Sequence, residues 1–159
     1  MNLLYEKIIR PLLFKLEAER AHQIAAFSMR ILGKVSPLRG LAAYYCQTKS
    51  SPVRLFGLDF PNPIGLAAGM DKNGEFIKSA FALGFGHVEI GTITPQRQLG
   101  NARPRLFRYP SVNGIVNRMG FNNDGAEIVA ERIKRNYPKG KRNAPLGINI
   151  GKAKTTDLD

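Results

Sequence analysis

The sequence predicts an α/β fold built on a parallel sheet. Three short and nearly all-apolar segments are predicted to be buried strands, at residues 63–68, 87–90 and 146–150. Helical segments separate them, and buried strands that alternate with helices are typical of parallel sheets. Each predicted strand ends in a polar segment that contains glycine, and α/β folds place their functional loops at such strand ends.

The first fifty residues are predicted to be helical instead. Apolar side chains recur at a spacing of four, at Leu4, Ile8, Leu12 and Leu16. This spacing forms one apolar stripe, although Pro11 must kink or divide the helix. A second helix is predicted over residues 17–32 with Gly33 as its C-cap, and a short third helix over residues 37–45. The chain therefore divides into a helical extension, 1–50, and an α/β segment, 51–159.

The net charge of the chain favours an anionic partner but does not identify which one. The net charge is +12, which favours contact with nucleic acid, an anionic membrane surface or phosphorylated ligands, although a solvated basic surface is equally compatible. No apolar run is long enough to cross a bilayer. Lysines and arginines border the apolar faces of the extension, so its helices either lie at a membrane interface or pack on the rest of the protein.

Elements around the strands follow from local patterns. Residues 53–55 and 58–60 flank a Phe-Gly pair and are predicted to form a hairpin. Residues 74–83 are predicted to be helical. Asp124 and Glu127 have the spacing of a capping box before a helix that runs through Arg135. The segment between, 94–121, is rich in Pro, Arg and Gly and is expected to be an irregular insertion.

The segment 62–75 is the most informative part of the sequence. Small residues after the first strand keep side-chain bulk away from its end, so a flat ring or a phosphate-bearing ligand could approach the backbone. Lys72 follows at once and adds a cation, although a lysine in a loop is more often a surface residue. The pattern is neither a Walker loop nor a Rossmann fingerprint, because the required glycine and Gly-Lys-Ser/Thr spacings are absent.

Hydroxyl and amide side chains follow the other predicted strands. Thr92 and Thr94 follow the second strand, and three asparagines lie within residues 117–123. Such amides suit a planar ligand with several carbonyl and NH groups, although they could instead cap the following helix. Asn149 lies within an apolar strand and must find a partner, either a ligand or a neighbouring backbone group.

These segments together resemble one family, the class 2 dihydroorotate dehydrogenases. The resemblance lies in residues 62–75, 89–95, 100–108, 117–123 and 147–152, and in the helical segment 18–22. It covers essentially the whole chain, in order and with compatible spacing. It implies the N-terminal part of a (β/α)8 TIM barrel, with about three of its eight core strands, preceded by a small helical extension that associates with a membrane.

The resemblance also implies a reaction. In this family dihydroorotate loses a proton to a base and a hydride to FMN, and the reduced flavin passes electrons to a membrane quinone, a step of pyrimidine (UMP) biosynthesis. A cation beside the flavin stabilises the charge that hydride transfer leaves there. The family's catalytic base follows Asp159 in sequence, so the 159-residue chain alone is expected to be inactive.

Site residues follow from the same resemblance. The expected FMN contacts are Ala68, Gly69, Met70, Asp71, Lys72, Thr92 and Asn149. The expected contacts to dihydroorotate or orotate are Lys72, Asn117, Arg118, Met119, Gly120 and Phe121. His22 and Arg108 correspond to residues near the quinone site. No metal is expected, and the protein is expected to sit peripherally on the cytoplasmic side of the inner membrane.

Two other functions compete with this interpretation. Another FMN barrel, such as a tRNA dihydrouridine synthase, would suit the basic charge. A non-catalytic basic module that binds membranes through its helices would suit residues 1–50 but would leave the later motifs unexplained. The asparagine-rich segment 117–123 and the helical extension favour a free pyrimidine acid and a quinone, so no nucleic-acid partner is expected.

Overall fold

The computed structural model describes residues 3–47, 51–140, 142 and 144–156. The predicted boundary at residue 50 lies outside these residues. The helices are a π-helical turn (Tyr5–Ile9), α1 (Arg10–Phe14), α2 (Ala18–Lys34), α3 (Ser36–Tyr45), α4 (Ile77–Ala82) and α5 (Ala126–Asn136). The strands are β1 (Val53–Leu55), β2 (Leu58–Phe60), β3 (Gly65–Leu66), β4 (His87–Ile93), β5 (Leu106–Tyr109), β6 (Gly114–Asn117) and β7 (Leu146–Ile150).

A parallel sheet organises the α/β segment, as the sequence predicts. Its strand order is β3-β4-β7, and Val88 of β4 lies opposite Leu66 on one side and Leu146 on the other. The bounds of β7 match the prediction. Only two residues of the predicted first strand pair in the sheet, whereas β4 extends three residues further than predicted, to Ile93. Because the strands are parallel, their carboxyl ends meet at one edge.

The hydrophobic core lies between this sheet and helices α4 and α5. Val88 and Ile90 of β4 are fully buried against Ile77 and Ala80 of α4 and Val129 of α5. Burial of such side chains stabilises the packing by roughly 1.5–3 kcal/mol each. The packing is less complete at β7, which is an outer strand of the sheet. There Ile148 is 50% exposed and Ile150 is 79% exposed.

Helix α2 continues past the glycine that was expected to end it. Gly33 lies inside the helix, and Val35 closes it by donating from its amide to the Ile31 carbonyl at 3.0 Å. A Cβ atom at Gly33 would lie 2.8 Å from Ser79 Oγ of α4. The Ser79 hydroxyl donates to the Met29 carbonyl of α2. The glycine therefore lets the extension approach the α/β segment closely, and packing overrides its tendency to end a helix.

One predicted helix start and one predicted helix cap are wrong. The predicted helix over residues 74–83 begins only at Ile77, because the Asp71 carboxylate accepts hydrogen bonds from the amides of Glu75 (2.9 Å) and Phe76 (3.0 Å). The predicted capping box before α5 does not form. Asp124 instead pairs with Arg132 at 2.8 Å, and Gly125 is the N-cap residue without a side-chain cap. In both places an acidic side chain bonds to a group other than the one that the predicted helix start requires.

Two antiparallel hairpins accompany the sheet. The first, β1–β2, was predicted with these bounds, and it pairs Val53 with Phe60. The second, β5–β6, lies within the insertion that was expected to be irregular, and it pairs Leu106 with Asn117. Its turn contains Asn113 with φ +49°, followed by Gly114, and an Asn-Gly pair is a strong signal for a hairpin.

The extension leaves a large apolar surface exposed. Side chains that are more than half exposed occur on each of its helices, among them Ile8 (53%), Leu12 (57%), Phe27 (59%), Leu41 (54%) and Tyr45 (77%). In the part of the chain that the structure describes, no helix combines the length and the apolar character needed to span a membrane.

Candidate ligand-binding cleft

The carboxyl ends of the parallel strands and the insertion enclose a cleft of about 480 Å³. It is open to solvent and gathers residues from five parts of the chain. The cleft is lined by His22, Ala68, Gly69, Lys72, Thr92, Leu106, Asn117, Met119, Gly120, Phe121 and Asn149. Most of the residues expected to bind cofactor or substrate therefore meet at one site, as parallel strand ends require.

Small residues form the floor of the cleft. Ala68 and Gly69 follow β3, and Gly69 adopts a positive φ of +102° that favours glycine. The Gly69 amide donates to the Gly91 carbonyl at 2.7 Å, and the Gly91 amide donates to the Asp71 carbonyl at 2.9 Å. These bonds fix the backbone after β3 against the end of β4. A flat ligand could approach this floor without meeting a large side chain.

Two polar side chains connect β4 to β7 at the cleft. Thr92 Oγ1 donates to Asn149 Oδ1 at 2.6 Å, and Asn149 Nδ2 donates to Glu89 Oε1 at 3.4 Å. The partner that Asn149 was expected to need is therefore a pair of side chains on the neighbouring strand. A Cβ atom at Gly91 would lie 2.4 Å from the Asn149 carbonyl oxygen, so only glycine allows the two strands to come this close.

Lys72 supplies the cation of the cleft. Its Nζ donates to the Gly69 carbonyl at 2.5 Å, which holds the ammonium over the small-residue floor. Burial lowers the pKa of Lys72 below that of an ordinary lysine, and the positive charge of Arg105 lowers it further, whereas the carboxylates of Asp71 and Glu19 act in the opposite direction. A partly buried ammonium of this kind interacts with a bound anion more strongly than an exposed one does.

The segment after β6 covers the opposite side of the cleft. Asn117, Met119, Gly120 and Phe121 line it, as the resemblance implies. Arg118 does not: it is exposed, and its guanidinium donates to the Pro104 carbonyl at 3.1 and 3.3 Å.

Two of the residues expected to contact the cofactor lie elsewhere. The Asp71 side chain is fully buried beneath the loop, where burial raises its pKa and hydrogen bonds from the amides of Glu75, Phe76 and Asn73 oppose that rise. Its carboxylate therefore shapes the loop that presents Lys72. Met70 lines a second cavity of about 210 Å³, which we call the polar cavity because Glu19, Lys72, Arg103 and Arg105 also line it.

The structure does not bring His22 and Arg108 into one pocket. His22 lines both the cleft and the polar cavity, and its pKa is lowered by burial and by the charge of Lys72 against the opposing charge of Glu19. Arg108 lies in a separate shallow pocket, with its guanidinium 4.5 Å from the centre of the Phe14 ring. Leu106 lines both the cleft and that pocket and so separates the two residues.

Sequence reasoning missed a buried ion-pair cluster beside the cleft. Glu19 of α2 is 3% exposed and forms salt bridges with Arg105 at 2.9 Å and Arg103 at 3.1 Å. Burial raises the pKa of Glu19, but the hydrogen bonds and charges of the two arginines outweigh that effect and lower it. The sequence does show an acidic residue within a basic extension, which is a weak indication of an ion pair. No local pattern connects this residue to arginines more than eighty positions away.

The described residues offer no set of side chains that could ligate a metal ion. Within them, no group of three or more His, Cys, Asp or Glu side chains could hold a metal ion. The cleft instead offers an ammonium, a hydroxyl, amides and a small-residue floor. This combination suits an organic ligand that is flat and carries negative charge.

The parallel sheet, with polar side chains gathered at its carboxyl strand ends, is typical of an α/β enzyme. Residues 51–159 match the family described as "Dihydroorotate dehydrogenase". The chain belongs to the dihydroorotate dehydrogenase family. It is 48% identical over 157 residues to "Dihydroorotate dehydrogenase (quinone)" of Methylococcus capsulatus, and 51% identical over 149 residues to the protein of that name from Stenotrophomonas maltophilia R551-3.

The chain spans less than half of these relatives. The matches cover 99% and 94% of this chain but 44% and 41% of the two relatives. A solved structure gives the same result. The ligand-free DHODH of Eimeria tenella is similar with a TM-score of 0.69 and 36% identity, over 89% of this chain and 39% of that one. The structure therefore shows an α/β portion of the barrel-type enzyme fold.

Proposed function

We propose that this chain supplies the cofactor- and substrate-binding portion of a quinone-dependent dihydroorotate dehydrogenase. The observation that carries the proposal is the convergence of Lys72, Thr92, Asn117 and Asn149 on one cleft at the strand ends. The names of the relatives from Methylococcus capsulatus and Stenotrophomonas maltophilia supply the reaction. The enzyme would oxidise dihydroorotate to orotate in pyrimidine biosynthesis.

The cleft fits FMN by its chemistry. Ala68 and Gly69 leave room for a flat ring over the backbone, and Thr92 and Asn149 offer a hydroxyl and an amide beside it. A bound FMN would supply the hydride acceptor. Lys72 would stabilise the negative charge that hydride transfer leaves there, because its ammonium is held by the Gly69 carbonyl and is partly shielded from water.

The segment after β6 would hold the substrate. The Asn117 amide can match the alternating carbonyl and NH groups of a pyrimidine edge, and the backbone of Met119 and Gly120 lies beside it. Fixing the ring relative to the small-residue floor reduces the entropy that the reaction would otherwise lose. Lys72 lines the same cleft as the small-residue floor and the segment after β6, and it would also contact the substrate carboxylate.

The base that removes the proton would come from outside this chain. Among the described residues that line the cleft, there is no carboxylate, thiol or serine hydroxyl. His22 is the titratable group there besides Lys72, and its position at the extension suits the side of the cleft from which a quinone would approach. The chain alone is therefore proposed to be inactive.

The extension is proposed to bind a membrane surface and to admit the quinone. Exposed apolar side chains on its helices lie among basic residues, which suits a peripheral position on the cytoplasmic side of the inner membrane. Arg108 ties the end of α1 to β5 by donating to the carbonyls of Leu13 and Leu16. Because His22 and Arg108 lie on either side of Leu106, a quinone would approach along this boundary.

A hybrid protein tests the function directly. Residues 1–159 are joined to the part of the Methylococcus capsulatus relative beyond the region that it shares with this chain; we call this protein the completed enzyme. We expect it to retain FMN and to reduce a soluble quinone analogue when dihydroorotate is added. The relative itself is the positive control. A folded completed enzyme that keeps no flavin, or that ignores dihydroorotate, would refute the proposal.

A further inference from the structure

A buried carboxylate joins the helical extension to the insertion. Glu19 accepts hydrogen bonds from Arg105 Nε at 3.1 and 3.3 Å and from Arg105 Nη2 at 2.9 Å. Arg103 Nε adds a further bond at 3.1 Å. The Arg105 side chain is only 8% exposed, so the two charges depend on each other for compensation. Removing one partner from such a buried pair is strongly destabilising for the other.

Arg105 also holds the backbone of its own loop. Its Nη1 donates to the Leu99 carbonyl at 2.8 Å and to the Asn101 carbonyl at 3.1 Å. The same guanidinium therefore bonds to Glu19 on one side and to residues 99–101 on the other. Because a guanidinium is planar and rigid, the position of Glu19 determines the position of this loop.

The loop in turn sets the segment that lines the cleft. The Asn101 amide donates to the Met119 carbonyl at 3.0 Å, and Asn101 Nδ2 donates to the Arg118 carbonyl at 2.7 Å. The contact is tight, since a Cβ atom at Gly100 would lie 2.2 Å from the Met119 carbonyl oxygen. A Cβ atom at Gly120 would lie 2.8 Å from the Asn101 nitrogen. A shift of the loop must therefore move Met119 and Gly120.

The same carboxylate balances charge next to the cleft. Glu19 lines the polar cavity together with His22 and Lys72, and these last two also line the cleft. Lys72 faces Asp71 from its own loop, Glu19 from α2 and Arg105 from the insertion. The remaining charged groups of the polar cavity are paired, Arg30 with Glu75 at 2.7 Å and Arg103 with Glu19.

We propose that Glu19 is a positioning residue for substrate binding: through Arg105 and Asn101 it places residues 117–121 in the cleft, and its negative charge offsets Arg105 beside Lys72. The proposal rests on the proposed function, because residues 117–121 are taken to hold dihydroorotate. It gives the helical extension a part in substrate binding, in addition to any contact with membrane or quinone.

Glu19→Gln in the completed enzyme tests both parts of the proposal. The glutamine keeps the shape but loses the charge and one acceptor. We expect the Kd of orotate, measured by calorimetry, and the KM of dihydroorotate to rise about tenfold, with a smaller change in kcat. We also expect the alkaline limb of the activity profile to move to lower pH, since Lys72 loses a neighbouring negative charge. Glu19→Asp, which keeps the charge, should restore the limb.

Glu131→Gln is the matched control, because Glu131 forms an exposed ion pair with Lys134 on α5, outside the residues that line the cleft. If Glu19→Gln folds but binds orotate like this control and keeps its alkaline limb, the proposal is wrong. If Glu19→Gln does not fold, Asn101→Ala decides the positioning part, because it removes the bond to the Arg118 carbonyl without changing charge. Normal orotate binding by Asn101→Ala would overturn it.

These outcomes are separate from those of the proposed function. An unmodified completed enzyme that does not oxidise dihydroorotate refutes the function before any variant is compared. An active completed enzyme with unaffected variants refutes only the role of Glu19.

Discussion

The hydroxyl of Thr92 donates to the side-chain oxygen of Asn149 at 2.6 Å, and this bond joins the ends of β4 and β7 inside the cleft. The two residues are 57 positions apart in sequence and lie on different strands. The bond therefore forms only when the parallel sheet is assembled. Thr92 and Asn149 thus serve the fold and the proposed cofactor site at once.

Replacing Thr92 with valine should weaken both roles. The substitution keeps the branched shape but leaves Asn149 Oδ1 without its donor, which costs about 1 kcal/mol of stability. We expect the completed enzyme to release FMN more readily, with an affinity about tenfold lower. Flavin retention on dialysis and the denaturation midpoint measure the two effects. Thr155→Val, at an exposed position, should change neither.

Two glycines of the extension should respond oppositely to alanine. At Gly33 a Cβ atom would meet Ser79 Oγ at 2.8 Å, so Gly33→Ala should push α2 away from α4 and lower the stability by about 1–3 kcal/mol. At Gly40 of α3 nothing lies within 4 Å, and Gly40→Ala should stabilise the helix by about 0.5–1 kcal/mol. Thermal denaturation of the completed enzyme compares them. Equal effects would contradict the close helix contact.

Lys72→Met should remove most of the activity while leaving the fold intact. The methionine fills similar space without a charge, so we expect a fall of about 100-fold in the rate of flavin reduction by dihydroorotate. Lys78→Met, at an exposed position of α4, provides the control. Because burial lowers the pKa of Lys72, the unmodified enzyme should lose activity on the alkaline side below the ordinary lysine value of 10.5. Stopped-flow absorbance over a pH series measures both.

Acid should selectively weaken the contact that Glu19 makes. The pKa of Glu19 in the folded protein lies below its ordinary value of 4.5, so its contribution to stability is complete above that pH. The contribution is lost as the pH falls through the lower, folded value. The difference in unfolding free energy between unmodified enzyme and Glu19→Gln should therefore shrink below about pH 4.5. A difference that grows toward acid would show that the arginines do not stabilise the carboxylate.

The 159-residue chain alone should not turn over dihydroorotate. Its sheet ends at β7, where Ile148 and Ile150 are largely exposed, and the described cleft contains no carboxylate, thiol or serine that could serve as the base. An outer parallel strand of this kind promotes association between chains. Dye reduction by the purified chain, compared with the completed enzyme at equal concentration, measures this. Robust turnover would refute the prediction.

The sequence predicted those elements whose signals are local. The strand 146–150 was placed with the observed bounds, since a short apolar run between a proline and a glycine has few alternatives. The hairpin 53–60 was also placed with the observed bounds. The expected cleft residues Gly69, Lys72 and Asn117 came instead from the family resemblance, because the local pattern around each of them is weak by itself.

Contacts between distant segments explain two of the failures, and a contact within one loop explains a third. Gly33 did not end its helix because Ser79, from another helix, requires a residue without a side chain there. The Asp71 side chain turned inward because three loop amides needed an acceptor. The pairing of Glu19 with Arg105 joins positions 86 residues apart, and no periodicity or spacing in a single sequence records such a pair. The β5–β6 hairpin was missed for a different reason. Its Asn113-Gly114 turn is a local signal, but the segment was interpreted as irregular because it is rich in Pro, Arg and Gly.

The burial of Glu19 bears on how such proteins can be recombined. An exchanged extension that packs in the same place but carries no acidic residue at position 19 would leave the guanidinium of Arg105 enclosed and without an opposing charge, at a cost of several kcal/mol. The N-terminal helices therefore cannot be exchanged between relatives as an independent module unless the matching arginines are transferred with them.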